Sequence, residues 1–329
     1  FPAYAQFGLP GASADLSLNV APEYPHPGEK ARLSVRSLLL DLTSNDVTWY
    51  VNGNIVSQGT GLSTIDVTAG PLGSETQIRV DVQGLNAAAS TSGVLRPTEV
   101  DLLWESDSYV PPFYRGRALP SAGSNVHLFA IPRLQYPGAQ LPVSPDELIY
   151  TWRKNNKIVA SASGRGKAAV TLEGPVLFGT DTVSVEIRTV DGNLRGFAST
   201  RIASTEPILV LYENHPVFGI LYHRALNQED SIPEVEATVS ATPYFAPTRN
   251  PNDRLLRYEW RVNNSTIENS QANPSSVTLN AEGSTGLAFI ELVLTHATNF
   301  FTSASGSWNL TLTGASSLNP SSLLAPFGQ

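Results

Sequence analysis

Apolar and polar residues alternate with period two in three short stretches that each carry a tryptophan: Val47-Thr-Trp49-Tyr-Val51, Ile149-Tyr-Thr-Trp152 and Tyr258-Glu-Trp260-Arg-Val262. One side chain in two then faces a core, which predicts a half-buried strand through each Trp. A second alternating stretch follows each: Ile78, Val80 and Val82; Val183, Val185 and Ile187; Ile290, Leu292 and Leu294. The offsets from Trp to the first of these are 29, 31 and 30 residues (49 to 78, 152 to 183, 260 to 290). The tryptophans lie 103 and 108 residues apart (49 to 152, 152 to 260), about the length of one two-sheet sandwich. The Trp strand and its follower are therefore expected as sheet neighbours, in three copies with three cores. Trp49, Trp152 and Trp260 are expected in those cores, since rings that stacked on carbohydrate would be exposed and their apolar neighbours argue otherwise.

After each Trp strand come Asn52-Gly53, Asn155-Asn156 and Asn263-Asn264, residue types that tolerate the positive φ of tight hairpins. The second and third copies also share an entry. Leu102-Leu-Trp104-Glu105 matches Val210-Leu-Tyr212-Glu213, and Tyr114-Arg-Gly-Arg117-Ala-Leu119 matches Tyr222-His-Arg224-Ala-Leu226 with one deletion. The first copy opens instead on Ala21-Pro-Glu-Tyr-Pro-His-Pro-Gly-Glu29. With boundaries near Pro97 and Pro207, the organisation expected is an extended segment 1–14, domains 15–97, 98–206 and 207–314, and a tail 315–329. Linkers this short leave little hinge length and predict a semi-rigid rod.

Composition sharpens the class. Charged residues are 15% of 329, while Gly (25) and Pro (24) are abundant, which suits short strands and many turns in an all-β, extracellular protein. Cysteine is absent, which excludes disulfides, thiolate metal sites and a cysteine nucleophile. The net charge of −8 carries no basic cluster and argues against nucleic acid or an anionic membrane as partner. No apolar run of about 18 residues occurs, so no membrane span is expected. The absence of Met is read as the mark of a processed product.

The Trp strand with Val-Asn-Gly, the Leu-Leu-Trp-Glu entry and Ser-Ala-Ser-Gly at 161–164 and 303–306 resemble tandem immunoglobulin-like or polycystic-kidney-disease-type domains of bacterial surface proteins. They are similar in particular to uncharacterised secreted proteins of ultra-small candidate-phylum bacteria. The resemblance spans roughly residues 15–313 and implies secretion and surface display, with no catalytic residue. The proline-rich opening of the first copy is a feature common in domains of the second type. A tyrosine corner near the second strand of each copy, expected in many such domains, is missing.

The first residues admit three readings. Ala3-Tyr-Ala5 fits a small-x-small cleavage site, making residues 1–5 the stump of a secretion signal. Alternatively Phe1, Ala3, Ala5, Phe7 and Leu9 form the apolar face of a donor strand that pairs with a neighbouring subunit's edge. Such a head-to-tail contact does not close and builds a filament. The third reading is a plain disordered tail. At the other end, Leu318, Leu323, Leu324 and Phe327 are apolar enough to dock on the third domain or a neighbour.

Chemistry-bearing clusters are sparse. His26, His127, His215, His223 and His296 have no metal-ligand spacing and read as loop or surface residues. Asp101, Glu105 and Asp107, and Glu229, Asp230, Glu234 and Glu236, could offer oxygen ligands to calcium, but lack the order of a calcium loop and fit solvated loops better. Asn263, Asn264 and Asn309 begin glycosylation triplets. No cofactor, metal or catalytic residue is expected, and no enzyme. The expected function is a structural subunit of a surface rod or filament that self-associates into a homopolymer. The alternative is an adhesin binding a glycan or protein through sandwich loops, with Tyr109, Phe113 and Tyr114 in the segment 106–125 as the candidate surface.

Overall fold

The computed structural model describes residues 16–84, 88–268, 270–282 and 287–312. Among them the chain is all-β, without α-helix and with only two 3-10 turns, Pro145–Glu147 and Ala160–Ala162. The segment 1–14, with Phe1, Ala3, Ala5, Phe7 and Leu9, and the tail 315–329 lie outside the described residues.

The strands form six sheets in three successive pairs. In the first pair, β1 (Leu16–Ala21), β2 (Lys30–Ser37) and β5 (Thr64–Thr68) make one sheet in the order β1-β2-β5. Its partner contains β3 (Asp46–Val51), β4 (Asn54–Thr60), β6 (Thr76–Gln83) and β7 (Ala88–Leu95), ordered β4-β3-β6-β7. Leu16, Leu33 and Val35 from one sheet meet Val47, Trp49, Ile78, Val80 and Val82 from the other in a single apolar cluster. Each large side chain so buried contributes about 1.5–3 kcal/mol.

In the second pair, β8 (Glu99–Ser106), β9 (Asn125–Arg133) and β13 (Ala169–Glu173) are ordered β13-β9-β8. The other sheet holds β10 (Ile149–Lys154), β11 (Lys157–Ile158), β14 (Thr180–Arg188) and β15 (Arg195–Ala203) in the order β11-β10-β14-β15, and β12 (Gly164–Arg165) also pairs with β10. The third pair sets β16 (Ile208–His215), β17 (Gly219–Ala225), β19 (Glu236–Tyr244) and β22 (Ser276–Asn280), ordered β17-β16-β19-β22, against a five-stranded sheet. That sheet contains β18 (Glu229–Ile232), β20 (Leu256–Val262), β21 (Ser265–Ile267), β23 (Leu287–His296) and β24 (Ser303–Leu312), ordered β18-β24-β23-β20-β21. Leu211, Val239 and Leu279 on one side share a cluster with Trp260, Leu292 and Leu310 on the other. The chain is thus three immunoglobulin-like sandwiches in tandem.

The Trp strand and its follower are antiparallel neighbours in all three, with Trp49 opposite Val80, Trp152 opposite Val185 and Trp260 opposite Leu292. All three indoles are fully buried, and a buried indole N–H needs an acceptor. Trp49 Nε1 donates to the Leu62 carbonyl (2.7 Å), Trp152 Nε1 to Lys167 (2.9 Å) and Trp260 Nε1 to Pro274 (3.0 Å). Each acceptor lies 13 to 15 residues downstream, on the chain as it returns from the hairpin. In the second sandwich the Gly-rich stretch 163–167 makes this wrap: Ser163 Oγ accepts from the Trp152 N–H (3.0 Å), and Gly166, at φ +71°, donates to the Leu148 carbonyl.

The entry segments that match in sequence fold differently. Residues 219–225 form β17, whereas 107–124 contain no strand. Pro111 and Pro112 explain the difference, since they remove two backbone donors and fix φ where a ladder would have to form. Matched aromatics nevertheless acquire partners of the same origin: the Arg117 guanidinium sits 4.3 Å over the Trp104 ring, and Tyr212 meets Tyr222 edge-on at 5.3 Å. Tyrosine hydroxyls do return to upstream carbonyls, but from the Trp strand, Tyr150 to Pro145 (3.1 Å) and Tyr258 to Pro251 (2.6 Å).

The chain divides into two compact units. One comprises the described residues of Phe1–Leu103, Phe129–Val170 and Thr182–Thr200; the other those of Trp104–Leu128, Thr171–Asp181 and Arg201–Gln329. Within the first, the segment between β7 and β8 is held on both sides. The Thr98 N–H donates to the Pro25 carbonyl (3.2 Å) and its hydroxyl to the Arg195 carbonyl (2.8 Å), while Arg96 pairs with Glu75 (3.0 Å) and donates to the Asn193 carbonyl (3.3 Å). Within the second unit, Tyr109 and the 245–246 corner exchange backbone bonds: Tyr109 N–H to Ala246 (2.8 Å) and Phe245 N–H to Tyr109 (2.7 Å).

Candidate functional site

The segment 106–125 carries Tyr109, Phe113 and Tyr114, the aromatics expected to form a recognition surface. Most of it is committed to packing inside the second unit. The Ser108 hydroxyl donates to the Leu119 carbonyl (2.6 Å), and Asp107 accepts from Asn125 through both carboxylate oxygens (2.7 and 3.0 Å). Tyr114 stacks edge-on against Tyr244 (5.7 Å) and Phe245 (6.1 Å). Burial, then a hydrogen bond with Tyr222, pushes the Tyr109 phenol well above its ordinary pKa. Burial, then the 2.7 Å contact with the Tyr212 hydroxyl, does the same to Tyr244. These phenols are structural, each kept neutral by its surroundings. Phe113 is the exception: it stands 94% exposed at φ +66°, a backbone conformation uncommon for a bulky residue.

A cleft of about 740 Å³ opens in the same unit, between segments 122–123 and 173–177 on one side and the 296–301 turn on the other. Its position follows from two hydrogen bonds. Asn299 Nδ2 donates to the Ala122 carbonyl (2.6 Å) and Thr302 Oγ1 reaches the same oxygen (3.4 Å). The Gly174 N–H donates to Ser124 (2.8 Å), which ties the opposite wall to the same loop. Only glycine fits at 123, where φ is +88° and an added Cβ would lie 2.4 Å from Asn299 Nδ2. The cleft's rim is apolar: Val176 is 77% exposed, Phe300 94% and Phe301 62%, the two rings edge-on at 6.4 Å. Glu173 is the one charged side chain in the lining.

The polar groups of the turn serve the turn itself. His296 Nδ1 accepts from the Thr298 and Asn299 amides (3.3 and 3.0 Å), and Asn299 Oδ1 accepts from the Phe301 amide (3.1 Å). His215 does the same at the end of β16, accepting from Val217 and Phe218 (3.1 and 3.3 Å) and stacking on the Phe218 ring at 4.7 Å. Two of the five histidines are therefore turn caps. The sequence signal is a His that ends an apolar strand stretch directly before a turn, a pattern too common to single out.

Four of the acidic residues that could offer oxygen ligands to calcium have protein partners: Asp101 pairs with Arg133 (2.6 Å), Asp107 accepts from Asn125 (2.7 and 3.0 Å), Asp230 accepts from Arg224 (3.0 Å) and from the Ser231 amide (2.8 Å), and Glu236 accepts from Asn280 (3.3 Å). Among the described residues no three His, Asp or Glu side chains converge as a metal site would require, and no helix is long and apolar enough to cross a membrane. Of the glycosylation triplets, Asn263 holds its amide in a backbone contact with Phe289 (2.9 Å), Asn264 is exposed at the hairpin tip, and Asn309 lies inside β24.

No family model and no curated protein matches the chain. Solved structures to which it is similar include the three N-terminal domains of the bacteriophage RB49 highly immunogenic outer capsid protein, at 13% identity and TM-score 0.25, covering 92% of this chain and 98% of that one. A central fibronectin-III array of RIM-binding protein gives 9%, 0.30, 92% and 98%. A Bacteroides ovatus mixed-linkage glucan utilization protein, SGBP-B, in complex with a mixed-linkage heptasaccharide, gives 13%, 0.25, 91% and 70%. At these scores the fold assignment rests on the strand pairings described above.

Proposed function

We propose that this chain is a non-enzymatic, extracellular structural protein that self-associates into a homopolymer at a cell surface. The observation that carries the reading is the way consecutive sandwiches are joined. Thr98 and Arg96 in one unit, and Tyr109, Asn299 and Thr302 in the other, bind backbone carbonyls or amides of the neighbouring sandwich. Junctions of this kind suit a part that holds its form, with domain boundaries near Pro97 and Pro207. The resemblance to bacterial surface domains supports secretion, and the low charge and lack of cysteine are compatible with it. Strand addition by Phe1, Ala3, Ala5, Phe7 and Leu9 belongs to the same proposal. Electron microscopy of the purified chain tests it: regular fibres are expected, and deletion of residues 1–9 should abolish them if strand addition builds them. Monodisperse particles from the intact chain at every concentration would refute self-association.

A second reading, adhesion to a glycan or protein, draws on Phe113, which is solvated and conformationally constrained on the 106–125 loop. Specific retention on an immobilised glycan or protein, lost on Phe113→Ala, would favour it over assembly.

A further inference from the structure

Sheet edges offer a row of unpaired N–H and C=O groups to any passing chain, and natural sandwiches blunt them with shortness, charge or proline. The strand after the Trp hairpin ends its sheet in all three sandwiches. β11 is two residues long and carries Lys157, and β21 is three residues long. Their counterpart β4 runs for seven, Asn54-Ile-Val-Ser-Gln-Gly-Thr60, without charge or proline. The Gly61 N–H bonds to the Asn45 carbonyl (3.2 Å) and continues the ladder with β3, so the alternate residues Gln58 and Thr60 turn their backbone groups away from β3. The other side of this sandwich is closed. A Cβ added at Gly93 on β7 would lie 2.9 Å from Leu18 Cδ2 on β1, so those two edge strands cover each other.

A strand that completes the β4 edge has to be uncharged and apolar on the face turned toward the core, where Leu62 and Ile65, next along the chain, are only partly buried. Residues 1–9, Phe-Pro-Ala-Tyr-Ala-Gln-Phe-Gly-Leu, carry no charged side chain. Alternate residues of an extended strand turn their side chains to one face and their N–H and C=O groups to one edge. As such a strand, Phe1, Ala3, Ala5, Phe7 and Leu9 would share one face and one edge, and none of them is proline. Pro2 would fall on the opposite edge, where its missing N–H costs no bond to the acceptor and stops a further strand from joining. The tail 315–329 has no such face, since Leu318 and Leu324 would point to one side and Leu323 and Phe327 to the other.

We propose that residues 1–9 of one copy add to the outer edge of β4 in the next, extending its four-stranded sheet by one strand. The inference rests on the self-association proposed above and names the surface that accepts the strand. Main-chain bonds to β4 supply the affinity, and the uncharged sequences of both strands leave no charge to bury or repel. A contact between two different surfaces of one chain is heterologous and repeats without closing unless the rotation makes a ring.

The test compares, by sedimentation velocity, the full chain carrying Gln58→Pro with a chain lacking residues 1–9. The proline removes an outward N–H and no bond to β3, and circular dichroism checks that the variant keeps its strands. Each chain alone is expected to stay monomeric where the wild type grows. Mixed in equal amounts they should form a species of twice the monomer mass and nothing larger, since the proline chain still donates and the shortened chain still accepts. Without any substitution, a synthetic peptide of residues 1–9 added to the shortened chain should slow hydrogen exchange at the Gln58 and Thr60 amides. A folded Gln58→Pro chain that grows like the wild type, or peptide protection on another strand, overturns the β4 edge while leaving self-association standing. A shortened chain that still dimerises while the proline chain does not means that β4 pairs with β4 of a second copy, and it overturns residues 1–9 as the donor. A wild type that never associates overturns both the joint and the reading beneath it.

Discussion

The Asn155 side-chain carbonyl accepts a hydrogen bond from the backbone N–H of Thr182 at 2.9 Å, and the Asn155 N–H donates back to the Thr182 carbonyl at 2.8 Å. The same clamp joins Asn52 to Gln77 and Asn263 to Phe289. One residue thus closes the hairpin at φ +49° and pins the start of the follower strand to the end of the Trp strand. Two substitutions separate these roles. Asn155→Gly keeps the left-handed conformation and loses the amide, at about 1 kcal/mol. Asn155→Ala loses both and is expected to cost about 1–2 kcal/mol more. Urea midpoints should rank wild type, Gly, Ala, and the same ranking is expected at Asn263. Equal midpoints for the two variants would show that φ is not a constraint there.

Replacing Trp260 by Phe removes the donor to Pro274 and part of a fully buried ring, leaving a carbonyl short of this bond beside a void. The combined cost is expected at about 2–4 kcal/mol, read as a lowered thermal midpoint. A change of less than about 0.5 kcal/mol would place the ring outside the core's energetics.

At Gly123 an added methyl meets both a strained φ and the Asn299 amide. Gly123→Ala is expected to destabilise by about 1–3 kcal/mol and to break the Asn299–Ala122 bond. Amide exchange at Phe301, whose N–H depends on Asn299, should accelerate in the variant. Unaltered exchange would mean that the turn does not depend on this junction.

Asp191 contributes to acid stability in the second sandwich. The Thr189 hydroxyl, foremost, and the Asn193 amide hold Asp191 at about 2, below its ordinary 3.8. A depressed folded-state value adds stability that is complete above the unfolded value and disappears as pH falls from about 4 to about 2. Asp191→Asn should therefore narrow the gap to wild type over that window, measured by thermal melts at stepped pH. A gap that is constant from neutral pH to 2 would contradict the assignment.

How far the fold could be read in the sequence depends on the range of the interactions. Period-two alternation reports which side of a sheet faces inward, so the pairing of Trp49, Trp152 and Trp260 strands with Val80, Val185 and Leu292 strands was accessible. The asparagines announced positive φ but not their amide bonds 25 to 27 residues ahead, because nothing local marks Gln77, Thr182 or Phe289 as partners. The junctions were still less accessible. Arg96 reaches Asn193 across 97 residues and Asn299 reaches Ala122 across 177, contacts that exist only once the sandwiches have formed. The matched entries misled in one respect, since Pro111 and Pro112 deny the second sandwich the strand that the third forms at 219–225. The cleft had no local signal either: its walls come from four separated segments, around 122–123, 173–177, Pro247 and 296–301, and Phe300-Phe301 by itself reads as an ordinary apolar pair.

Self-association through unlike surfaces is tested most directly by sedimentation velocity of the intact chain over a wide concentration range. Open-ended growth is predicted, with the weight-average mass rising continuously and without a plateau at any small oligomer. A single monomeric boundary at all concentrations would contradict it.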